Sequence, residues 1–183
     1  MGRLIISTHC TLDGLIERND EWFDQAPSDE QAGMDQLRAA GALLLGRPTF
    51  EGLAGYWESR ADDGGFGQLQ SPLPKYVASR SPLPGPLPWN GRPLGGDLAR
   101  SVAAIKERTD GLVVSYGCGA LAYALTRAGV VDELRFWIHP LVWGSGRRPF
   151  HDLGPVRMRV ASSVTYDSGI VLVCARPEGR GEG

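Results

Sequence analysis

The apolar runs Ala42-Leu43-Leu44-Leu45 and Leu112-Val113-Val114 each lead to a glycine, Gly46 and Gly117, and then into residues spaced along one helical face. A strand without polar alternation is buried on both sides, so such runs call for a mainly parallel sheet with helices above and below it. After the first run, Pro48 suits an opening helical position, and Phe50, Leu53, Ala54 and Trp57 fall at i, i+3, i+4 and i+7. After the second, Leu121, Ala124, Leu125 and Ala128 recur with the same period.

The remaining elements extend this pattern. Residues 3–10, RLIISTHC, read as a buried first strand, and a polar loop follows. Ser28-x-x-Gln31 has the form of a capping box, opening a helix through Met34 and Leu37 that Gly41 should stop. Residues 60–74 read as a loop, and Lys75-Tyr76-Val77-Ala78-Ser79 as a strand. Five prolines and four glycines between Ser81 and Gly96 predict an extended crossing with one short strand near Trp89. Asp97 should cap a helix that places Leu98, Val102 and Ile105 on one face and ends before Gly111. Residues 112–116 and 133–138 read as strands on either side of a helix over 119–128 that Gly129 stops. Finally, the runs 156–165 and 170–174 flank Tyr166-Asp167-Ser168-Gly169, a hairpin signal. The expected architecture is therefore α/β, a three-layer α/β/α sandwich whose mixed sheet is mainly parallel. One domain spans residues 1–176, and the tail 177–183 is expected to be disordered.

Composition bounds the function. A chain of 183 residues is long enough to bury a sizeable core in one domain, and its 25 glycines and 13 prolines, about a fifth of the total, forecast many turns. A net charge of −2 with no Lys/Arg block lacks the footprint of a nucleic-acid binder. Cys10, Cys118 and Cys174 match neither a disulfide framework nor zinc-ligand spacing, which points to a reduced cytoplasm and to no metal site. The opening segment does not read as a signal peptide, and no apolar run approaches bilayer length, so no membrane partner is expected.

The glycine turns are where chemistry can collect. A helix N-terminus leaves backbone N–H groups unpaired and carries partial positive charge, so a glycine turn entering it can hold a phosphate. SYGCGALA, residues 115–122, is such a turn. Its Gly117-x-Gly119-x-x-Ala122 satisfies the dinucleotide pattern, although the acidic residue expected about 20 positions on is missing, where the chain reads FWIHPL. Gly46-Arg47-Pro48-Thr49 adds a guanidinium and a hydroxyl at a second helix start, and Ser79-Arg80 ends a third strand with the same pair. Parallel strands would bring all three corners together at their carboxyl ends, and three such corners fit one extended, multiply charged ligand. An arginine in place of an acid favours NADP(H) over NAD(H).

The segments LIISTHCTLDGLIE, LLLGRPTFEGLAGYW, KYVASR, VSYGCGALAYALTRAGVVDELRFWIHPLVWGSGRRPF and SGIVLV together resemble the dihydrofolate-reductase-like family, in particular the C-terminal (reductase) domain type of the riboflavin-biosynthesis protein RibD. The most specific elements are LLLGRxTFE, YGxGxLA and HPxxxGSGRRxF, in that order. The resemblance implies NADPH as hydride donor and a pteridine- or aminouracil-like substrate. Carried over by position, Gly46, Arg47 and Thr49 hold cofactor phosphates, while Ser79 and Arg80 meet the adenosine end and its 2′-phosphate. Gly117, Cys118, Gly119 and Leu121 line the pyrophosphate and nicotinamide side. Thr11, Leu12, Asp13 and Gly14 end the first strand beside the nicotinamide, and the following loop covers the site. Two departures stand out. Cys118 occupies a position where Ser or Gly is usual, and none of Asp29, Glu30 and Asp35 matches the acid that faces the pterin in dihydrofolate reductases.

Among the other polar residues, Asp13 is the first candidate for the catalytic polar role, although Leu-Asp-Gly reads equally as a turn. Trp22 and Phe23 fit an aromatic wall over a flat heterocycle, or a loop anchor. His9 and His139 read as hydrogen-bonded structural residues, and His151 tells little. Arg147, in Gly144-Ser145-Gly146-Arg147-Arg148, is a candidate for binding an anionic group of the substrate. Two rival functions remain. Cys118 at a helix start could be an activated thiol of a cysteine-dependent hydrolase, although Tyr116 and Ala120 stand where a nucleophile elbow needs glycine. Alternatively, the chain binds a nucleotide without turning it over. The late hairpin and its neighbouring strand could join two copies into a homodimer.

Overall fold

The computed structural model describes residues 1–17, 19–23, 26–60, 64–150 and 153–178. His151 and the tail from residue 179 lie outside them.

Eight strands form one sheet: β1 (Arg3–Thr11), β2 (Ala40–Gly46), β3 (Lys75–Ala78), β4 (Gly91–Leu94), β5 (Leu112–Tyr116), β6 (Glu133–His139), β7 (Met158–Thr165) and β8 (Val171–Pro177). Their order is β4-β3-β2-β5-β1-β6-β8-β7. Pairing is parallel from β4 through β6, and antiparallel where β8 joins β6 and β7. The helices are α1 (Asn19–Trp22), α2 (Pro27–Arg38), α3 (Arg47–Trp57), α4 (Phe66–Gln70), α5 (Leu98–Arg108) and α6 (Ala120–Arg127).

Burial on both faces explains the apolar runs. Ile5, Leu43, Leu45, Val77 and Val114 point to one side, where they meet Leu37 of α2 and Phe50 and Ala54 of α3. Leu4, Ile6, Ala42, Leu44 and Val113 point to the other, against Val102 and Ile105 of α5 and Ala122 and Leu125 of α6. Consecutive residues of β1 and β2 thus feed opposite cores, the expected three-layer sandwich. Each fully buried Leu or Ile contributes about 1.5–3 kcal/mol.

Several local expectations are corrected. Ser28 does not cap α2: the helix starts at Pro27, and the buried Asp29 carboxylate accepts the Ala26 N–H at 3.0 Å. Gly41 does not stop that helix either. It lies in β2 at a shift in the β2/β5 register, and a Cβ there would come within 2.5 Å of the Asp110 carbonyl. The predicted loops contain α1 and α4, helices of four and five residues, too short for periodicity to reveal. The short strand begins two residues after Trp89 and carries Pro93, which an edge strand tolerates. The last strand runs through Pro177, so the start of the expected tail is ordered.

Candidate functional site

The chain leaves β1, passes over the position of β5, and fills β2, β3 and β4 outward before β5 returns between β2 and β1. Such a reversal opens a crevice at the carboxyl ends of the strands. The crevice here is a cavity of about 1010 Å³, walled by the ends of β3 (Ala78), β2 (Gly46), β5 (Ser115, Tyr116) and β1 (Ser7, Thr8, His9). Three strand spacings separate β3 from β1, about 14 Å.

All nine residues expected to meet a cofactor line this one cavity: Gly46, Arg47, Thr49, Ser79, Arg80, Gly117, Cys118, Gly119 and Leu121. The backbone explains their convergence. Gly46 is the N-cap of α3 and Gly119 that of α6, and neither helix start receives a side-chain hydrogen bond. By contrast, α5 is capped by Asp97, whose carboxylate accepts the Arg100 N–H at 2.9 Å. The starts of α3 and α6 therefore keep N–H groups and positive potential for something else. Gly117 adopts φ +82°, which an L side chain resists, and its N–H donates to the Ser7 carbonyl at 3.1 Å, tying this corner to β1. Arg47 bridges two corners: its Nε donates to Glu51 at 2.7 Å and its Nη1 to the Ser81 hydroxyl at 3.4 Å. Arg80 is exposed at the β3 corner. Two guanidinium groups thus stand at the β2–β3 end, that of Arg47 paired with Glu51.

The other end carries the candidate substrate residues, and here the structure divides them. Phe23, 41% exposed, and Arg147 line the cavity. Arg147 Nε pairs with Glu17 at 3.1 Å. Trp22 is buried instead, its indole N–H donating to the Glu17 carbonyl at 2.8 Å, so it anchors the loop. Thr11 and Asp13 do not line the cavity. The Thr11 hydroxyl is fully buried; it donates to Asp13 at 2.6 Å and accepts the Leu15 N–H at 3.0 Å. The Asp13 carboxylate also accepts the N–H groups of Trp143 and Gly144, at 3.1 and 2.8 Å. Led by the Thr11 hydroxyl, these bonds hold Asp13 down at about pKa 2. A carboxylate so occupied, outside the lining of the cavity, is a clamp between two loops and a poor proton donor.

Cys118 is a wall of the cavity, but burial, with a smaller push from Cys10, raises its thiol to about 12. Cys118 is 3% exposed. Activation by the helix start is therefore outweighed, which argues against a nucleophilic cysteine.

Sequence reasoning underrated β1. Ser7, Thr8 and His9 line the cavity, and the signal was the appearance of three polar residues in succession after an apolar run. His9 Nδ1 lies 3.0 Å from His139 Nε2. The ring of His9 stacks on Trp137, with centroids 5.4 Å apart and planes at 17°, and Phe23 meets it edge-on at 4.7 Å. Burial first, and the neighbouring His139 second, lowers His9 to about pKa 3, so its imidazole is uncharged at neutral pH.

Residues 94–172 match the family model of the RibD C-terminal domain. The uncharacterized protein YyaP of Bacillus subtilis (strain 168) is 27% identical over 176 residues, 93% of either chain. A diaminohydroxyphosphoribosylaminopyrimidine deaminase/5-amino-6-(5-phosphoribosylamino)uracil reductase from Thermotoga maritima superposes with a TM-score of 0.69 at 16% identity, over 96% of this chain and 56% of that one. Dihydrofolate reductase from Enterococcus faecalis, solved in complex with NADP(H), superposes with a TM-score of 0.63 at 16% identity, over 97% and 98%. The fold is dihydrofolate-reductase-like. The family match falls in the second half of the chain and includes β5, α6 and their glycine turn.

Proposed function

We propose that the protein is an NADPH-dependent reductase that delivers a hydride to a small flat heterocycle of the pteridine or aminouracil class. The observation that carries this reading is the meeting of two helix starts without side-chain caps and the guanidinium groups of Arg47 and Arg80 in one cavity that spans four strands. The backbone N–H groups at the two helix starts, around Cys118–Leu121 and at Arg47 and Thr49, would hold phosphate oxygens, and Ser79 and Arg80 the 2′-phosphate. The bound cofactor supplies the hydride, and the chain orients it and its acceptor and excludes water. The far end, beside Phe23 and Arg147, would take the substrate, with Arg147 facing an anionic group. Likeness to a reductase-containing protein and to a structure solved with NADP(H) supports the assignment.

Titration with NADPH and NADH, comparing wild type with Arg80→Ala and Arg47→Ala, tests it. Loss of one charge-assisted contact, about 1.5–3 kcal/mol, should weaken NADPH about ten- to a hundredfold. NADH binding to Arg80→Ala should hardly change. Equal binding of both nucleotides by all three proteins would refute the proposed 2′-phosphate contact.

The reading also includes a homodimer through β7, the free edge strand of the sheet, which carries the exposed Val160 and Val164.

A further inference from the structure

The end of the cavity away from the arginine pair is closed by an arrangement that cofactor binding does not require. His9, at the carboxyl end of β1, lines the cavity, and His139, at the end of β6, lies beside it because β1 and β6 pair in parallel with Thr11 opposite His139. The 3.0 Å contact joins His9 Nδ1 to His139 Nε2, so one nitrogen donates to the other and the tautomers of the two rings are coupled. Three further rings hold them in place: Trp137 stacks on His9, Phe23 meets His9 edge-on, and Trp22 meets His139 at 5.1 Å and 72°. Trp137 is anchored in turn, its indole N–H donating to the Ser7 hydroxyl at 3.0 Å. The orientation of His9 is thus fixed from the neighbouring strand β6 and from the covering loop, more control than a histidine that merely fills space needs.

Resting on the reductase reading above, we propose that His9 grips the heterocycle of the substrate through its outer ring nitrogen Nε2, with His139 as the positioning residue that sets its tautomer and plane. With Nδ1 committed to His139, Nε2 is the ring nitrogen left for a ligand. Burial keeps the imidazole uncharged, so it suits an uncharged partner; a charged ring at this point would be desolvated without compensation. A lactam edge, a ring N–H beside a C=O, fits, because it offers both an acceptor and a donor and so matches either tautomer of the pair. Phe23 provides an apolar face for the same flat ring.

The test uses lumazine, an uncharged bicyclic lactam, and NADP⁺ as separate probes of the full-length protein. Tryptophan fluorescence would give Kd values for wild type, His9→Phe, His9→Gln and His139→Phe, and two-bond ¹H–¹⁵N spectra would follow the imidazole nitrogens. His9→Phe keeps the ring stack and deletes the nitrogens, so lumazine should bind at least tenfold more weakly while NADP⁺ affinity stays within twofold. His9→Gln, which retains a donor and an acceptor, should recover most of that loss and guards against a folding defect in the first variant. His139→Phe should weaken lumazine less than His9→Phe and change the His9 tautomer ratio. In wild type, lumazine should shift the His9 Nε2 resonance. Lumazine binding to His9→Phe as tightly as to wild type, an unmoved Nε2 signal, or no lumazine binding by wild type overturns the proposal. A protein that binds lumazine in this pattern but does not bind NADP⁺ would instead remove the reductase reading and leave His9 as a heterocycle contact.

Discussion

Lys75 shows how far one side chain can depart from its ordinary role. It opens β3, is fully buried, and spends its ammonium on the carbonyls of Gln70 and Ser71, at 2.5 and 2.9 Å, with the Trp89 ring 4.1 Å below. Two carbonyls and an aromatic face replace water incompletely, and burial lowers the amine from 10.5 to about pKa 8. The unfolded chain therefore binds more protons than the folded one between about pH 8 and 10.5, and in that window this group makes stability rise with pH. Below pH 8 both states carry the proton and the burial penalty is present in full. Urea midpoints of wild type and Lys75→Met at pH 7.5, 9 and 10 should show the difference moving in favour of wild type as pH rises. A constant difference would mean that the ammonium is solvated. Asp13 departs in the other direction: its Leu-Asp-Gly context allowed both a turn and a catalytic reading, and three hydrogen bonds from Thr11, Trp143 and Gly144 decide for the clamp. Two of those donors come from a loop about 130 residues away, which no local pattern reveals.

At the scale of the element, the strand-to-helix corners were the most legible part of the chain. Apolar run, glycine and helical spacing stand next to each other in sequence, so β2–α3 and β5–α6 followed from local chemistry alone. The conformation of Gly117 carries a cost that can be measured. Gly117→Ala places a methyl at φ +82°, which costs about 1–2 kcal/mol, although the nearest atom to that methyl, the Thr49 hydroxyl, is 3.9 Å away. Strain rather than collision should therefore dominate. We expect a fall in thermal stability of a few degrees by calorimetry, together with weaker NADPH binding as the corner turns its N–H groups away. Unchanged values for both would show that the positive φ is not needed. The short helices α1 and α4 and the register shift at Gly41 were not legible, because each is set by what it packs against rather than by its own periodicity.

For the whole molecule, the sheet ends asymmetrically. At one side Pro93 sits in the short edge strand β4, which resists further pairing. At the other, β7 presents eight residues without proline, and all are half-buried or exposed. Such an edge is suited to a second copy. Val164→Lys, 46% exposed in the free chain, should leave the fold intact by circular dichroism and shift sedimentation from dimer to monomer. Dimers that persist in this variant would place the interface elsewhere. Among the described residues, no helix is long and apolar enough to cross a membrane.

The sequence by itself determined that a buried, mainly parallel sheet with helices on both faces would form, and that two glycine-led helix starts, one of them bearing Arg47, would stand at strand ends, because periodicity and turn chemistry are local. Only the tertiary structure decided which of those ends share a cavity, that Trp22 and Asp13 hold loops while Phe23 lines the cavity, and that His9 meets His139. Those pairings join residues as far as 131 positions apart. They depend on strand order and register, which follow from how the whole core packs, and no stretch of chain carries that information alone.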